Sequence, residues 1–265
     1  MASAEQQTFI AQLHALGVRT GDTVLVHASF NALGCRSMTP TDVIAGLLHV
    51  VGDRGNLLMP ALSYAQQPPY IHSTLGTPSN VGIIAETFRT RPGTHRSVHP
   101  THSVCGTGPD VAALFTDHHL DTTPCGPHSP FHKLPAMDGK ILMLGCGLRP
   151  NTSMHAIEEL CPPPYLFGEM CEYTITSADG VTYRKWYRTH GFDGWEQRYD
   201  RIQMLNVPGM IAQGRVLASV SYLIRADALR DAVASTLCEC PTYFVDPRPS
   251  TPTCPRPEEP GRLAD

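Results

Sequence analysis

His155 and Glu158 stand three residues apart in the stretch Asn151-Thr152-Ser153-Met154-His155-Ala156-Ile157-Glu158. On a helix that spacing puts both side chains on one face, one turn from the start. An imidazole beside a carboxylate can take a proton from an attacking nucleophile. Its ordinary pKa of about 6.5 leaves the ring neutral near neutral pH, and the carboxylate orients it or steadies the imidazolium. The same pair also occurs on ordinary helix surfaces, so the segments around it must decide.

Histidine is abundant: 13 residues, against 20 Lys and Arg together. A metal is the first chemistry to test. His95, His99 and His102 have i, i+4, i+7 spacing, but Pro92-Gly93 and Pro100 oppose a continuous helix there. His118-His119 and His128…His132 lack the HExxH pattern, and Cys238-Glu239-Cys240 is tighter than zinc spacing. No metal is expected, and these histidines read as loop or packing residues. Neither GxxxxGK[ST] nor GxGxxG is present, and the GxSxG elbow of serine hydrolases is missing too.

The elements that must carry the candidate residues follow from periodicity and punctuation. Phe9, Leu13 and Leu16 mark one face of an N-terminal helix, and Thr23–Val26 is a β-branched strand after Gly21-Asp22. Thr39-Pro40-Thr41-Asp42 opens a helix carrying Val43, Ile44, Leu47 and Leu48. Residues 56–60 form an apolar strand, 63–80 a long loop, 81–90 a helix and 140–145 another apolar strand. The His155 helix then starts near Asn151 or Thr152 and runs to Leu160. Alternation in 170–177 and 180–189, joined by Ala178-Asp179-Gly180, predicts a hairpin. Residues 195–205 read as helix, 215–224 as strand and 226–239 as helix. The fold class is α/β, a mostly parallel central sheet flanked by helices with an antiparallel hairpin appendage. Residues 1–245 are expected to form a single domain, and the Pro-rich stretch 246–265 a disordered tail.

The chain has 265 residues and a formal charge of 20 − 24 = −4. That balance excludes a protein held to nucleic acid or anionic lipid by its overall field. No apolar run reaches the roughly 18–20 residues of a membrane span, and no signal-peptide pattern opens the chain. The expectation is a cytoplasmic protein whose nine cysteines are free, mostly buried thiols.

Four segments at strand ends, in this order, carry a resemblance: VHASFNALG (26–34), RSVHPTHS (96–103), SPFHKL (129–134) and LMLGCGLRPNTSMHAIE (142–158). Together they resemble the aminoglycoside 3-N-acetyltransferase (antibiotic N-acetyltransferase) family across about residues 5–225. The resemblance implies an acetyl-CoA-dependent N-acetyltransferase with a small-molecule amine as acceptor, most simply the 3-amino group of an aminoglycoside. It implies His155 as general base with Glu158 behind it. Ser29, Phe30 and Asn31 would meet coenzyme A through backbone N–H groups, with Arg96 and Ser97 also facing the cofactor, and Ser103 and Thr152 near the thioester. Thr152 is grouped with the catalytic pair. Tyr64, His190 and Asp193 are the candidate acceptor contacts. His99 is read as holding its turn and His27 as packing at a strand end.

One departure bears on the acceptor. Loop 63–80 contains no acidic residue, and Glu169, Glu172, Asp193 and Glu196 are the carboxylates that could instead meet a cation. A less charged amine is therefore an alternative acceptor. A coenzyme A-binding protein without turnover is the alternative of another class, and a small metal-dependent hydrolase ranks behind both. No cysteine occupies a His-paired position, which disfavours an acetyl-cysteine route.

Overall fold

The computed structural model describes residues 3–248. Ser3 caps α1 (Ala4–Leu16) by accepting from the Gln6 amide, and Phe9, Leu13 and Leu16 are buried as the sequence anticipates. β1 (Thr23–Ala28) runs into the single turn α2 (Phe30–Leu33). α3 (Pro40–Val51) opens with a capping box, in which Thr39 and Asp42 satisfy each other's amides. β2 (Asn56–Pro60) is buried throughout. Within the long loop that follows lies a short strand, β3 (Ile71–Ser73), before α4 (Ile83–Arg89). Next come β4 (His95–Arg96), β5 (Val104–Thr107), α5 (Val111–Phe115), α6 (Pro130–Lys133), β6 (Lys140–Leu144) and α7 (Ser153–Glu158). The C-terminal third holds β7 (Phe167–Thr176), β8 (Thr182–His190), β9 (Trp195–Gln197), β10 (Ile211–Val216), β11 (Ser219–Arg225), α8 (Ala226–Glu239) and β12 (Val245–Pro247).

The central sheet has the order β10-β11-β6-β1-β2-β5-β4. β1 pairs in parallel with β2 and β6, and the outer pairings are antiparallel. β10, β6, β1, β2 and β4 therefore point one way, and β11 and β5 the other. Because side chains alternate across a strand, Val24 and Val26 pack with α1 and α3 on one face. Leu25, Leu58, Ile141 and Met143 pack with α7 and α8 on the other. Helices thus cover both faces. β7 and β8 form the expected hairpin, with β3 parallel on the β7 edge, and β9 pairs with β12.

Several expectations change. Residues 215–224 are not one strand: Val216 pairs with Ser219 across a tight turn in which Leu217 has φ 50. Leucine there gives no turn signal, so the break is invisible in sequence. Residues 195–205 are not a helix. Trp195–Gln197 pair with β12 and a 3-10 turn covers Tyr199–Leu205, tertiary pairing overriding local propensity. The His155 helix ends at Glu158, two residues early. The tail expected from residue 246 lies outside the described residues from 249 onward. Asp246 and Pro247 belong to β12, and Asp246 pairs with Arg198 and Arg201. Of the described cysteines, Cys105 and Cys125 are buried, while Cys161, Cys238 and Cys240 are exposed, so the thiols are not mostly buried. Cys254 lies outside the described residues. Among the described residues no helix is long and apolar enough to cross a membrane.

α1 and α3 approach closely because Gly46 leaves room for the Phe9 ring; a Cβ there would stand 2.8 Å from two ring carbons. Gly46→Val should lower the unfolding free energy by about 1–3 kcal/mol, measured by urea unfolding; an unchanged midpoint would show that the contact is dispensable.

Candidate active site

β1, β2 and β6 run in parallel, so their carboxyl ends meet at one edge of the sheet, where the chain must leave in different directions. Open α/β sheets place their ligand crevices at such edges. A cleft of ≈ 520 Å³ opens there. Its walls include Val26–Ala28 from the end of β1, Met59 and Pro60 from β2, and Cys146 and Arg149–Thr152 after β6. His155, His102, His190 and Tyr199 also face it.

The β6–α7 connection turns on Gly145 (φ 70) and Gly147 (φ 66), and Asn151 Oδ1 accepts from the Ser153 amide at 3.2 Å. This sets His155 on the first turns of a short helix against the cleft. The SPFHKL segment supports that helix from behind: Ser129 caps α6, and Phe131 packs in the same cluster as Met154 and Ile157. His155 Nδ1 lies 3.1 Å from Glu158 Oε2 and 2.9 Å from the Tyr199 hydroxyl. Glu158 is 0% exposed, and it accepts from Tyr199 on Oε2 (2.8 Å) and from Tyr165 on Oε1 (3.0 Å). Burial first, and the Glu158 charge second, push both tyrosine hydroxyls well above their ordinary pKa, so they stay protonated donors. Nδ1 is thereby occupied. Nε2, which has no hydrogen-bond partner among the described residues, is the nitrogen available to a ligand.

Further imidazoles surround this pair. The His190 ring centre is 4.1 Å from that of His155, His102 is 4.6 Å from His190, and His99 stacks on His118 at 5.1 Å. Burial removes water from the charged form and is the first cause in each case. It brings His27, His72 and His118 down to about 3. His99, His102 and His190 also fall well below the ordinary value, with neighbouring imidazoles adding to the effect. His99 Nδ1 accepts from the Thr101 and His102 amides and Nε2 faces the Thr123 carbonyl, so it does hold its turn. Among the described residues no group of three or more His, Cys, Asp or Glu side chains could hold a metal ion.

Of the residues named from sequence, His155, Thr152, His190 and Tyr64 line the cleft, and Glu158 is buried directly behind His155. Ser29, Phe30 and Asn31 begin just past Ala28. The Ser29 amide is spent on the Leu144 carbonyl and its hydroxyl caps α2, so this residue offers no free amide. Arg96, Ser97 and Ser103 do not face the cleft. The Arg96 guanidinium spends its five N–H bonds on Ser103, Thr74, Thr77, Ala61 and Ser63. Ser103 donates to the Ala61 carbonyl, and Ser97 accepts from Val104 while meeting His118. The trio ties loop 61–77 to β4 and β5, and has no donor left for a phosphate. Asp193 is exposed and outside the cleft lining.

Sequence reasoning missed Tyr199, Tyr165, His102 as a wall residue, and Arg149. Tyr199 is 44 residues from His155 and no spacing signals it. Among the described residues Arg149 is the one formally charged lining side chain, paired with Glu196 at 3.0 Å and Asp200 at 3.2 Å. None of Glu169, Glu172, Asp193 or Glu196 lines the cleft.

An imidazole with a buried carboxylate behind it stands at the wall of an open cleft. Residues 25–237 match the family model described as aminoglycoside 3-N-acetyltransferase. The chain is 33% identical over 244 residues to aminoglycoside N(3)-acetyltransferase IV of Salmonella sp, covering 90% of this chain and 89% of that one. The structure of AAC-IIIb with CoASH superposes with a TM-score of 0.75 at 27% identity, covering 92% of this chain and 98% of that one. Sisomicin-bound AAC-VIa gives a TM-score of 0.75 at 26% identity, over 88% and 97% of the two chains. The protein is an acyltransferase that uses acetyl-CoA as co-substrate. It belongs to the aminoglycoside 3-N-acetyltransferase family.

Two measurements test these assignments. Arg96→Ala should cost about 3 kcal/mol or more of stability by stranding buried acceptors, while KM for acetyl-CoA in the folded enzyme stays within about twofold; a large rise in that KM with stability intact would restore a cofactor role. The depressed histidines make stability pH-dependent. His27, His72 and His118 titrate at about 3 when folded and at about 6.5 when unfolded, so the unfolded chain binds more protons between those values. Their contribution is fully present above pH 6.5 and is lost as pH falls toward 3, at about 1.4 kcal/mol per pH unit for each histidine. Urea midpoints at pH 7.5, 6 and 5 should decline steadily; a flat series would contradict neutral burial.

Proposed function

We propose that this protein transfers the acetyl group of acetyl-CoA directly to the 3-amino group of an aminoglycoside, with His155 as general base. The observation that carries this reading is the His155–Glu158 pair at the wall of the cleft, in a chain of this family. Nε2 takes a proton from the amine as its nitrogen attacks the thioester carbon, forming the C–N bond. Collapse of the tetrahedral intermediate breaks the C–S bond, and the thiolate leaves with the proton returned by the imidazolium. Thr152 lines the cleft one helical turn before His155, and its hydroxyl has no partner among the described residues, which suits it to donate to the thioester oxyanion.

A second acceptor class is favoured by one observation: among the described residues no carboxylate lines the cleft, and Arg149 is the one formally charged side chain there. Such a wall suits an amine with fewer positive charges than an aminoglycoside.

Thiol release from acetyl-CoA, followed by mass spectrometry, should be measured with gentamicin, sisomicin and monoamines. Acetylation of the aminoglycosides at the 3-amino group supports the first reading, and preference for a monoamine the second. His155→Ala should lower kcat by at least about 100-fold with the fold intact; near-normal turnover would remove His155 as base.

A further inference from the structure

Tyr199 reaches the active site from the 3-10 turn after β9, and it is 1% exposed. Its hydroxyl stands within hydrogen-bond distance of two groups, Glu158 Oε2 and His155 Nδ1. One hydroxyl carries one hydrogen, so it can donate to only one of them. Donation to the buried carboxylate is charge-assisted, roughly twice as strong as a neutral bond. Donation to Nδ1 would instead leave the imidazole hydrogen on Nε2, with no lone pair toward the cleft. The carboxylate wins on both counts, and Nδ1–H then donates to Glu158 and to the tyrosine oxygen. Tyr165 completes the arrangement on Oε1.

We propose that Tyr199 is a positioning residue whose hydroxyl, together with that of Tyr165, holds Glu158 as a carboxylate and His155 as the Nδ1–H tautomer. The proposal deepens the reading of His155 as the base and rests on it. Besides Glu158 and Tyr199, the groups facing His155 are His190 from β8, His102 from the β4–β5 loop, His27 from β1 and Glu159, which caps α7. The three histidines are neutral through burial. Glu159 is engaged elsewhere, accepting from Thr123 and the Cys125 amide. Glu158 is the carboxylate hydrogen-bonded to Nδ1 of His155, and Tyr199 acts through it. Removing the hydroxyl concentrates charge on Glu158, which holds the imidazolium more firmly.

The test is long-range nitrogen–proton NMR of histidine-labelled protein across pH, with the His155 signal identified by its loss in His155→Ala. Wild type should show the Nδ1–H tautomer. Tyr199→Phe should raise the His155 midpoint by at least about 0.5 pH unit, and Tyr165→Phe should shift it the same way. With acetyl-CoA and sisomicin, Tyr199→Phe should lose roughly tenfold in kcat with both KM values within about twofold. An Nε2–H tautomer in wild type, or an unchanged or lowered midpoint in the variants, overturns the proposal. Should Tyr199→Phe not fold, the wild-type tautomer and Tyr165→Phe decide it. An NMR result as expected alongside a fully active His155→Ala would instead sink only the reading of His155 as base.

Discussion

A carboxylate with no solvent exposure organises the active site. Moving an ionised carboxylate out of water costs several kcal/mol, and hydrogen-bond donors must compensate. Glu158 finds them on three parts of the chain: His155 one turn earlier, Tyr165 just beyond α7, and Tyr199 after β9. Those donors hold a segment from the C-terminal third against the carboxyl edge of the central sheet. The resulting wall fixes which imidazole nitrogen meets the cleft.

The sheet supplies the other half of the geometry. Three adjacent parallel strands end together, and the loops leaving them form a crevice. Behind the wall many polar side chains are buried. Arg96 spends every donor inside the fold, and the buried histidines remain uncharged. Neutral imidazoles give His155 polar neighbours that carry no charge of their own.

Most of the architecture was legible where the signal is local. The α1 face, the Thr39–Asp42 cap, the apolar strands and the β7–β8 hairpin all follow from spacing within ten residues or so. The failures are equally specific. The β10–β11 turn rests on Leu217 in a left-handed conformation that leucine does not advertise. The 195–197 stretch became a strand because β12 was there to pair with it. Arg96 looked like a phosphate contact because its motif sits at a strand end, yet its side chain turns inward to carbonyls from residues 61 to 77.

The sequence by itself determined the α/β class, the helix carrying His155 and Glu158 on one face, and the family resemblance. Each is written in short-range pattern or contiguous motif. Only the tertiary structure decided which polar residues face the cleft and which are consumed in holding it. Tyr199 came to the carboxylate from 44 residues away, while Arg96, Ser97 and Ser103 turned to interior partners and Asp193 to solvent. The physical reason is that a side chain's role depends on which donors and acceptors burial brings within about 3 Å, and that pairing is set by the packing of distant segments.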